Sequence, residues 1–566
     1  MAERPGLRRR RGRPEIERWL PLAYFGLVVI VATALLPTVL RPPAQQPSSS
    51  AELSPDAPPD KDNQSIISAL NRAASGTAGS NVLPGAAASG AAGAAGGSAA
   101  ATRSVPRSCP HGFGNPPRQF ESIYAPPCAA AWSGDNGGAT YKGVTANQIN
   151  IGFLMELTGV TDDGPIPATG NGTEGAVRRT YIVWQRYFND RYQLYGRRLQ
   201  FFYAGSCGNS DTNENETCRA QKADDTYHTF AVQHETQPAS LHELVRRRLV
   251  TFSLAQLPSS VFAASQPYLW SLTPDATKLI RLGAEYACKK LAGKPPTYTS
   301  DPSFAKAPRK FGILAYDLPD YRSNAPEMAR QLSELCGVHV DKTVFYTYES
   351  GRTQDLATAI VQLKAAGVTT IVYLGDLLAA SVFTQAADSN AYYPEWFLPG
   401  YGGVDTSDSL ARAYSQNQWQ HAFGFSLYEV PRRTQEEECY KAYHEVDPAH
   451  DPDDGMCRYM WGWVVQLIGG IQQAGPKLTP QTYRQGLLGQ GVSTPNPFWR
   501  MAGGYTPSNF TYPLYAAEIW WDPNAPGPDD NTGAYRYVAG GRRYTFGQWP
   551  AGDDGLFHDG ITTAPP

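Results

Sequence analysis

The chain carries almost no net charge. Forty-nine lysine and arginine residues stand against 52 aspartate and glutamate, a formal balance of −3 over 566 residues. A general nucleic-acid binder needs a broad basic surface to displace phosphate counterions, so no nucleic acid is expected as a partner. Catalytic signatures are missing as well. No Gly-x-Ser-x-Gly, His-Glu-x-x-His, Walker loop or dinucleotide-type glycine turn stands at a strand-to-helix junction. Cys-x-x-Cys pairs are absent, and Asp451 to Gly455 lacks the distal glutamate of a calcium loop. His228, His234 and His242 show no ligand-like regularity, and the runs Asp224-Asp225 and Glu436-Glu437-Glu438 read as solvated helical faces. The chain is read as a non-enzyme with no cofactor and no metal.

The ends are unusual. Residues 1–18 hold seven arginines against three glutamates, a basic tail. Residues 19–40 then run 22 positions without a charge, closed by Arg18 and Arg41. A helix of that length reaches ~33 Å, which matches the ~30 Å hydrocarbon core of a bilayer. Trp19 and Tyr24 suit the headgroup level, and the positive-inside rule puts the arginine cluster in the cytosol. A cleaved signal would have a shorter apolar stretch and an Ala-x-Ala-like site, which Pro37 to Pro42 lacks. An uncleaved signal anchor is expected, with everything beyond Arg41 extracytoplasmic.

Residues 41–105 read as a disordered linker. Of the 60 positions 41–100, 40 are Ala, Gly, Ser or Pro and none is aromatic, so the segment buries too little to offset its chain entropy. As a random coil those positions span ~40–45 Å, enough to hold a domain off a membrane. All eight cysteines lie beyond it, at 109, 128, 207, 218, 288, 336, 439 and 457. Thiols outside the cell tend to oxidise. Neighbour spacing suggests Cys109–Cys128, Cys207–Cys218 and Cys439–Cys457, which leaves Cys288–Cys336; spacing alone does not settle the pairing.

From about residue 141 the pattern becomes regular. Short apolar runs at 149–154, 199–203, 230–232, 250–254, 311–316, 343–348 and 369–374 alternate with helical spacing at 175–188, 324–336 and 355–366. Such alternation, punctuated by Gly and Pro, specifies an α/β fold with parallel sheets and right-handed crossovers. About 400 residues exceed one core, so two lobes are expected.

Several segments resemble the leucine-binding-protein family, the type I periplasmic binding proteins that serve branched-chain amino acid-type ABC transporters. Gly143-Val144-Thr145 with Ile149, Ile151 and Gly152 resembles the opening strand. Asn189-Asp190 followed by Gly196-Arg197-Arg198-Leu199 resembles the first helix end and the turn into strand two. Thr236 to Ser240 resembles the loop into the third helix, and Asp317 with Tyr321 an Asp-x-x-Tyr opening of a lobe-two loop. The resemblance implies a clamshell preceded by one transmembrane helix. It implies an extension at 106–142, lobe one at 143–273 and 428–511, lobe two at 274–427 and 512–550, and a tail at 551–566. It also implies a small-molecule solute and an ABC transporter permease as partners.

In such folds ligands sit at the carboxyl ends of parallel strands. That places Glu235, Thr236, Ser240 and Gln256 of lobe one, and Tyr316, Tyr321, Asp376 and Tyr401 of lobe two, as candidate ligand-binding residues. Thr236 and Ser240 also suit plain helix capping. Tyr401 stands where family members commonly carry an acid for the ligand's amino group. Its presence there makes a simple α-amino acid a poor fit and favours aromatic-lined hydrophobic or carboxylate solutes. The loop Asp162 to Thr173 is longer than the family's turn and is expected to cover part of the cleft. The alternative is a ligand-free clamshell acting as an extracytoplasmic protein-interaction module.

Overall fold

The computed structural model describes residues 117–565, apart from 121, 123, 155–162, 171, 173, 206, 208–212, 236–237, 348–352 and 553–554. The expected basic tail, membrane span and linker, and Cys109, lie outside the described residues. Among the described residues no helix is long and apolar enough to cross a membrane.

Two sheets organise the chain. The first takes β1 (Gln148–Phe153), β2 (Gly164–Pro165), β3 (Arg198–Tyr203), β4 (Ala231–Glu235), β5 (Val250–Ser253) and β6 (Leu269–Ser271), in the order β2-β3-β1-β4-β5-β6. All its neighbours run parallel except β2, which pairs antiparallel with β3. The second takes β7 (Phe311–Tyr316), β8 (Val340–Tyr346), β9 (Thr370–Leu374), β10 (Glu395–Leu398), β11 (Ala422–Ser426), β12 (Ala516–Pro526), β13 (Thr532–Tyr537) and β14 (Arg543–Tyr544). Its order is β13-β12-β11-β10-β9-β7-β8, with β14 against β12.

Burial explains why these segments are strands. β5, β9, β10 and β11 are buried at every position, as parallel strands between two helical layers must be. Along the second sheet, alternate residues enter opposite cores. Leu314, Ile371, Tyr373 and Trp396 pack on one face, while Ile313, Ala315, Val372 and Phe397 pack on the other. β8 begins three residues before the expected 343, because it is an edge strand whose Asp341 and Lys342 meet solvent and break the apolar run. In the first lobe the helix Ala176–Arg191 brings Phe188 into stacking contact with Trp461, ring centroids 5.3 Å apart.

The chain passes between the lobes three times, between Ser271 and Ala276, between Ser426 and Glu438, and between Tyr512 and Ala516. A part-buried lysine and a buried arginine stitch these passages together. Lys278, at the start of the helix Ala276–Tyr286, donates to Thr511 Oγ1 (2.8 Å), Pro513 O (2.6 Å) and Asn509 Oδ1 (3.2 Å). Arg543 donates to Tyr428 O (2.6 Å), Phe498 O (2.8 Å) and Tyr515 O (3.3 Å), so one guanidinium gathers the second and third passages.

A second buried arginine, Arg197, anchors the segment ahead of β1. It donates to Thr145 O (2.7 Å), Pro476 O (2.7 Å) and Asn136 O (2.6 Å). Disulfides join Cys207 to Cys218, Cys288 to Cys336 and Cys439 to Cys457, and Cys128 is disulfide-bonded as well.

The described part of the loop 162–173 does not cover the cleft. Gly164 and Pro165 pair with the edge strand β3, and Ile166, donating its N–H to Phe201 O at 2.7 Å, is buried in the first core. The extra length is used to extend the sheet.

Arg543→Met strips donors from buried carbonyls of two passages. A loss of about 3 kcal/mol or more is expected in denaturant unfolding. A change near zero would show that the hinge is held by other contacts.

Candidate functional site in the interlobe cleft

A cleft of about 1500 Å³ lies between the lobes. Its walls come from the carboxyl ends of strands in both sheets, where β5, β7, β9, β10 and β11 run into their loops.

Five expected residues reach this wall: Gln256, Tyr316, Tyr321, Asp376 and Tyr401. Tyr316 and Tyr321 present their rings, 6.0 Å apart between centroids, and Tyr321 meets Tyr401 edge-on at 6.4 Å. The other three are already engaged by the protein. Asp376 accepts the N–H groups of Leu378 (2.8 Å) and Ala379 (2.9 Å) and the Tyr346 hydroxyl (2.7 Å), which ties it to the turn that enters the helix Ala379–Ser389. The Tyr401 hydroxyl accepts from Asn324 Nδ2 at 2.7 Å. Gln256 bridges the lobes, its Nε2 donating to Gly400 O (2.9 Å) and its Oε1 accepting from Gly402 N (2.6 Å).

Gly402 makes that bridge possible. It sits at φ +68, and a Cβ there would lie 1.7 Å from Gly375 O.

The remaining candidates are placed otherwise. Ser240 is fully buried within the helix Pro238–Arg246, while Pro238, Ala239 and His242 of that helix face the cleft. Glu235 ends β4, and Thr236 lies outside the described residues.

A second interlobe contact comes from residues that sequence reasoning left aside. His242 Nε2 lies 2.9 Å from Asp320 Oδ1, and that hydrogen bond raises the imidazole pKa against the opposing effect of burial.

Sequence reasoning also missed the cleft's charge. Ten carboxylates line it, against two guanidinium groups and one imidazole. Glu437 and Glu438 lie on this wall instead of a solvated face, because the second passage folds the start of helix Glu438–His444 into the cleft. Burial raises Glu429 against the pull of Arg432, Arg543 and Arg500, burial and the Glu429 charge raise Glu438, and burial pushes Glu437 up to about 7. Asp405 is 1% exposed, and burial pushes it up to about 6. No short sequence signal marks these acids, since they come from separate loops.

No family model matches the chain, and no curated protein is similar to it in sequence. Solved structures do match. A solute-binding protein of an ABC transporter from R. palustris, in complex with 4-hydroxybenzoate, aligns at TM-score 0.50 and 13% identity, over 71% of this chain and 99% of its own. A fatty acid ABC transporter substrate-binding protein from Thermomonospora curvata aligns at 0.50 and 13%, over 73% and 96%. A solute-binding protein from Rhodopseudomonas palustris HaA2, in complex with p-hydroxybenzoic acid, aligns at 0.50 and 12%, over 71% and 98%. The chain therefore has the fold of ABC transporter solute-binding proteins. It is the two-lobed type I clamshell that the opening-strand and Asp-x-x-Tyr resemblances imply.

Two variants test the interlobe contacts. Gln256→Leu removes two hydrogen bonds worth about 2 kcal/mol together. That shifts the ratio of joined to separated lobes by ~30-fold, and small-angle scattering should show a larger radius of gyration. An unchanged radius would show that Gln256 does not hold the lobes.

The His242–Asp320 contact has a definite pH sense. A raised imidazole pKa means the contact is fully present below the unfolded value of about 6.5 and is lost as pH rises through the folded value. A fluorescence pair across the lobes should report growing separation as pH rises above about 6.5, and Asp320→Asn should flatten that dependence. A flat wild-type profile would remove the contact from the lobe equilibrium.

Proposed function

We propose that the protein is a membrane-tethered extracytoplasmic solute-binding protein. It captures a small solute between its lobes and hands it to an ABC transporter permease. The observation that carries this reading is the cleft of about 1500 Å³, walled by strand ends of both lobes. A cavity of that size and position suits a small molecule held by two closing walls. The three hinge passages allow such closure, and Gln256 and His242 give the lobes contacts to make and break.

Residues 19–40 anchor the chain in the cell membrane with the N-terminus cytosolic, and residues 41–105 form the tether. The three disulfides support an oxidising, extracytoplasmic compartment. The similar R. palustris proteins are named with hydroxybenzoates. That ligand class is not carried over here, because the likeness at 12–13% identity extends to the fold alone.

The test is thermal unfolding of the full chain against amino acids, aromatic acids, short peptides, polyols, purines and amines. A solute at 100 times its Kd adds ~2.7 kcal/mol, which raises Tm detectably. A hit supports the solute-binding reading. A folded chain that responds to none of these classes overturns it in favour of a clamshell that docks a protein partner.

A further inference from the structure

Resting on the solute-binding reading, the cleft's unspent chemistry points to the class of solute. Most polar groups on its wall already have partners within the protein. Asp376 holds the turn that enters a helix, Gln256 bridges the lobes, Tyr401 meets Asn324, and Asp529 is held by two bonds from Arg412, at 2.7 and 2.8 Å. Asp405 is different. It lines the cleft, is 1% exposed, and carries no close hydrogen bond on either carboxylate oxygen, while the neighbouring Ser426 hydroxyl favours its charged form. An ionised carboxylate so placed is costly unless something pairs with it.

Its surroundings fit one kind of partner. Asp405 follows Val404, whose carbonyl accepts the Tyr535 hydroxyl at 2.6 Å, and its charge is felt by Tyr428, Tyr535 and Tyr537, all on the cleft wall. Glu429 and Glu438 also line this wall, where burial favours their neutral forms. Arg458, one of the guanidinium groups on the wall, is turned to Glu437 and Asp454, each at 3.6 Å. No group of three or more His, Cys, Asp or Glu side chains among the described residues is arranged to hold a metal ion. A carboxylate set among tyrosine rings, in a cavity too large for a bare ion, is the chemistry that recognises an organic ammonium.

We propose that the solute is an organic cation whose ammonium group pairs with Asp405 among Tyr428, Tyr535 and Tyr537. The site lies four residues beyond Tyr401 in the same loop. The counter-charge missing at Tyr401 is thus supplied from a different position. The solute's ammonium supplies the donor or positive charge that the fold leaves out, and the tyrosines supply the apolar and quadrupolar contact around it.

The experiment uses the full chain and its Asp405→Asn variant, with putrescine, spermidine, tyramine and choline as probes. 4-Hydroxybenzoate, glycerol and calcium chloride serve as comparisons. At least one amine should raise the Tm of the wild type, and calorimetry should show that amine binding ~30-fold or more weakly to the variant, the usual effect of truncating one partner of a buried charge pair. Without any ligand, Asp405→Asn should melt higher at neutral pH, because it removes an unpaired buried charge. A lower Tm would make Asp405 a structural acid and overturn the proposal. A response to 4-hydroxybenzoate or calcium chloride with none to amines overturns the cation proposal and leaves solute binding standing. Equal amine affinity in the variant overturns the assignment to Asp405. Silence toward every probe, with a variant that melts no higher, overturns both readings.

Discussion

Everything that depends on the two lobes acting together depends on the cations at the hinge. Three strands of chain pass between the lobes, and their carbonyls face inward with no sheet or helix to satisfy them. Lys278 and Arg543 supply those hydrogen bonds from two sides. Both charges are paid for by many short contacts, and burial still pulls Arg543 down to about 10. A guanidinium suits this task because its planar fork reaches several carbonyls from different segments at once. The result is a hinge with fixed strand spacing that still has no continuous sheet across it, so the lobes can rotate without breaking either core.

The cleft inherits its character from that hinge. Burial drives polar groups to find partners, and most of the wall has done so within the protein. Groups that are satisfied internally, such as Asp376 and Gln256, fix loop shape and lobe spacing. Asp405, whose oxygens are not so satisfied, stands apart. The tyrosines nearby gain stability from packing and keep their hydroxyls neutral, since burial raises their pKa values. They are therefore apolar surfaces with polar tips, suited to an amphipathic guest.

Much of the architecture was legible because parallel strands between helices must be apolar throughout. β7 and the helix Asn324–Cys336 fall where their residues predict, since neither has an ambiguous end. The edge strand β8 was read short because its outer residues are polar. The loop 162–173 was misassigned because an edge pairing of two residues, Gly164 and Pro165, carries no periodicity. For the site, strand ends pointed to Tyr316, Tyr321 and Tyr401, but a side chain's partners are not written in its own segment. Asp376 looks free until Leu378, Ala379 and Tyr346 converge on it.

The linear sequence determined the alternation of strands and helices and the two-lobe size, because these follow from local periodicity and chain length. Only the tertiary structure decided which polar groups are spent and which remain. Glu429, Glu438 and Asp405 are separated in the chain and meet on one wall because the second passage and the loop after β10 fold toward each other. Electrostatic character is a property of that convergence.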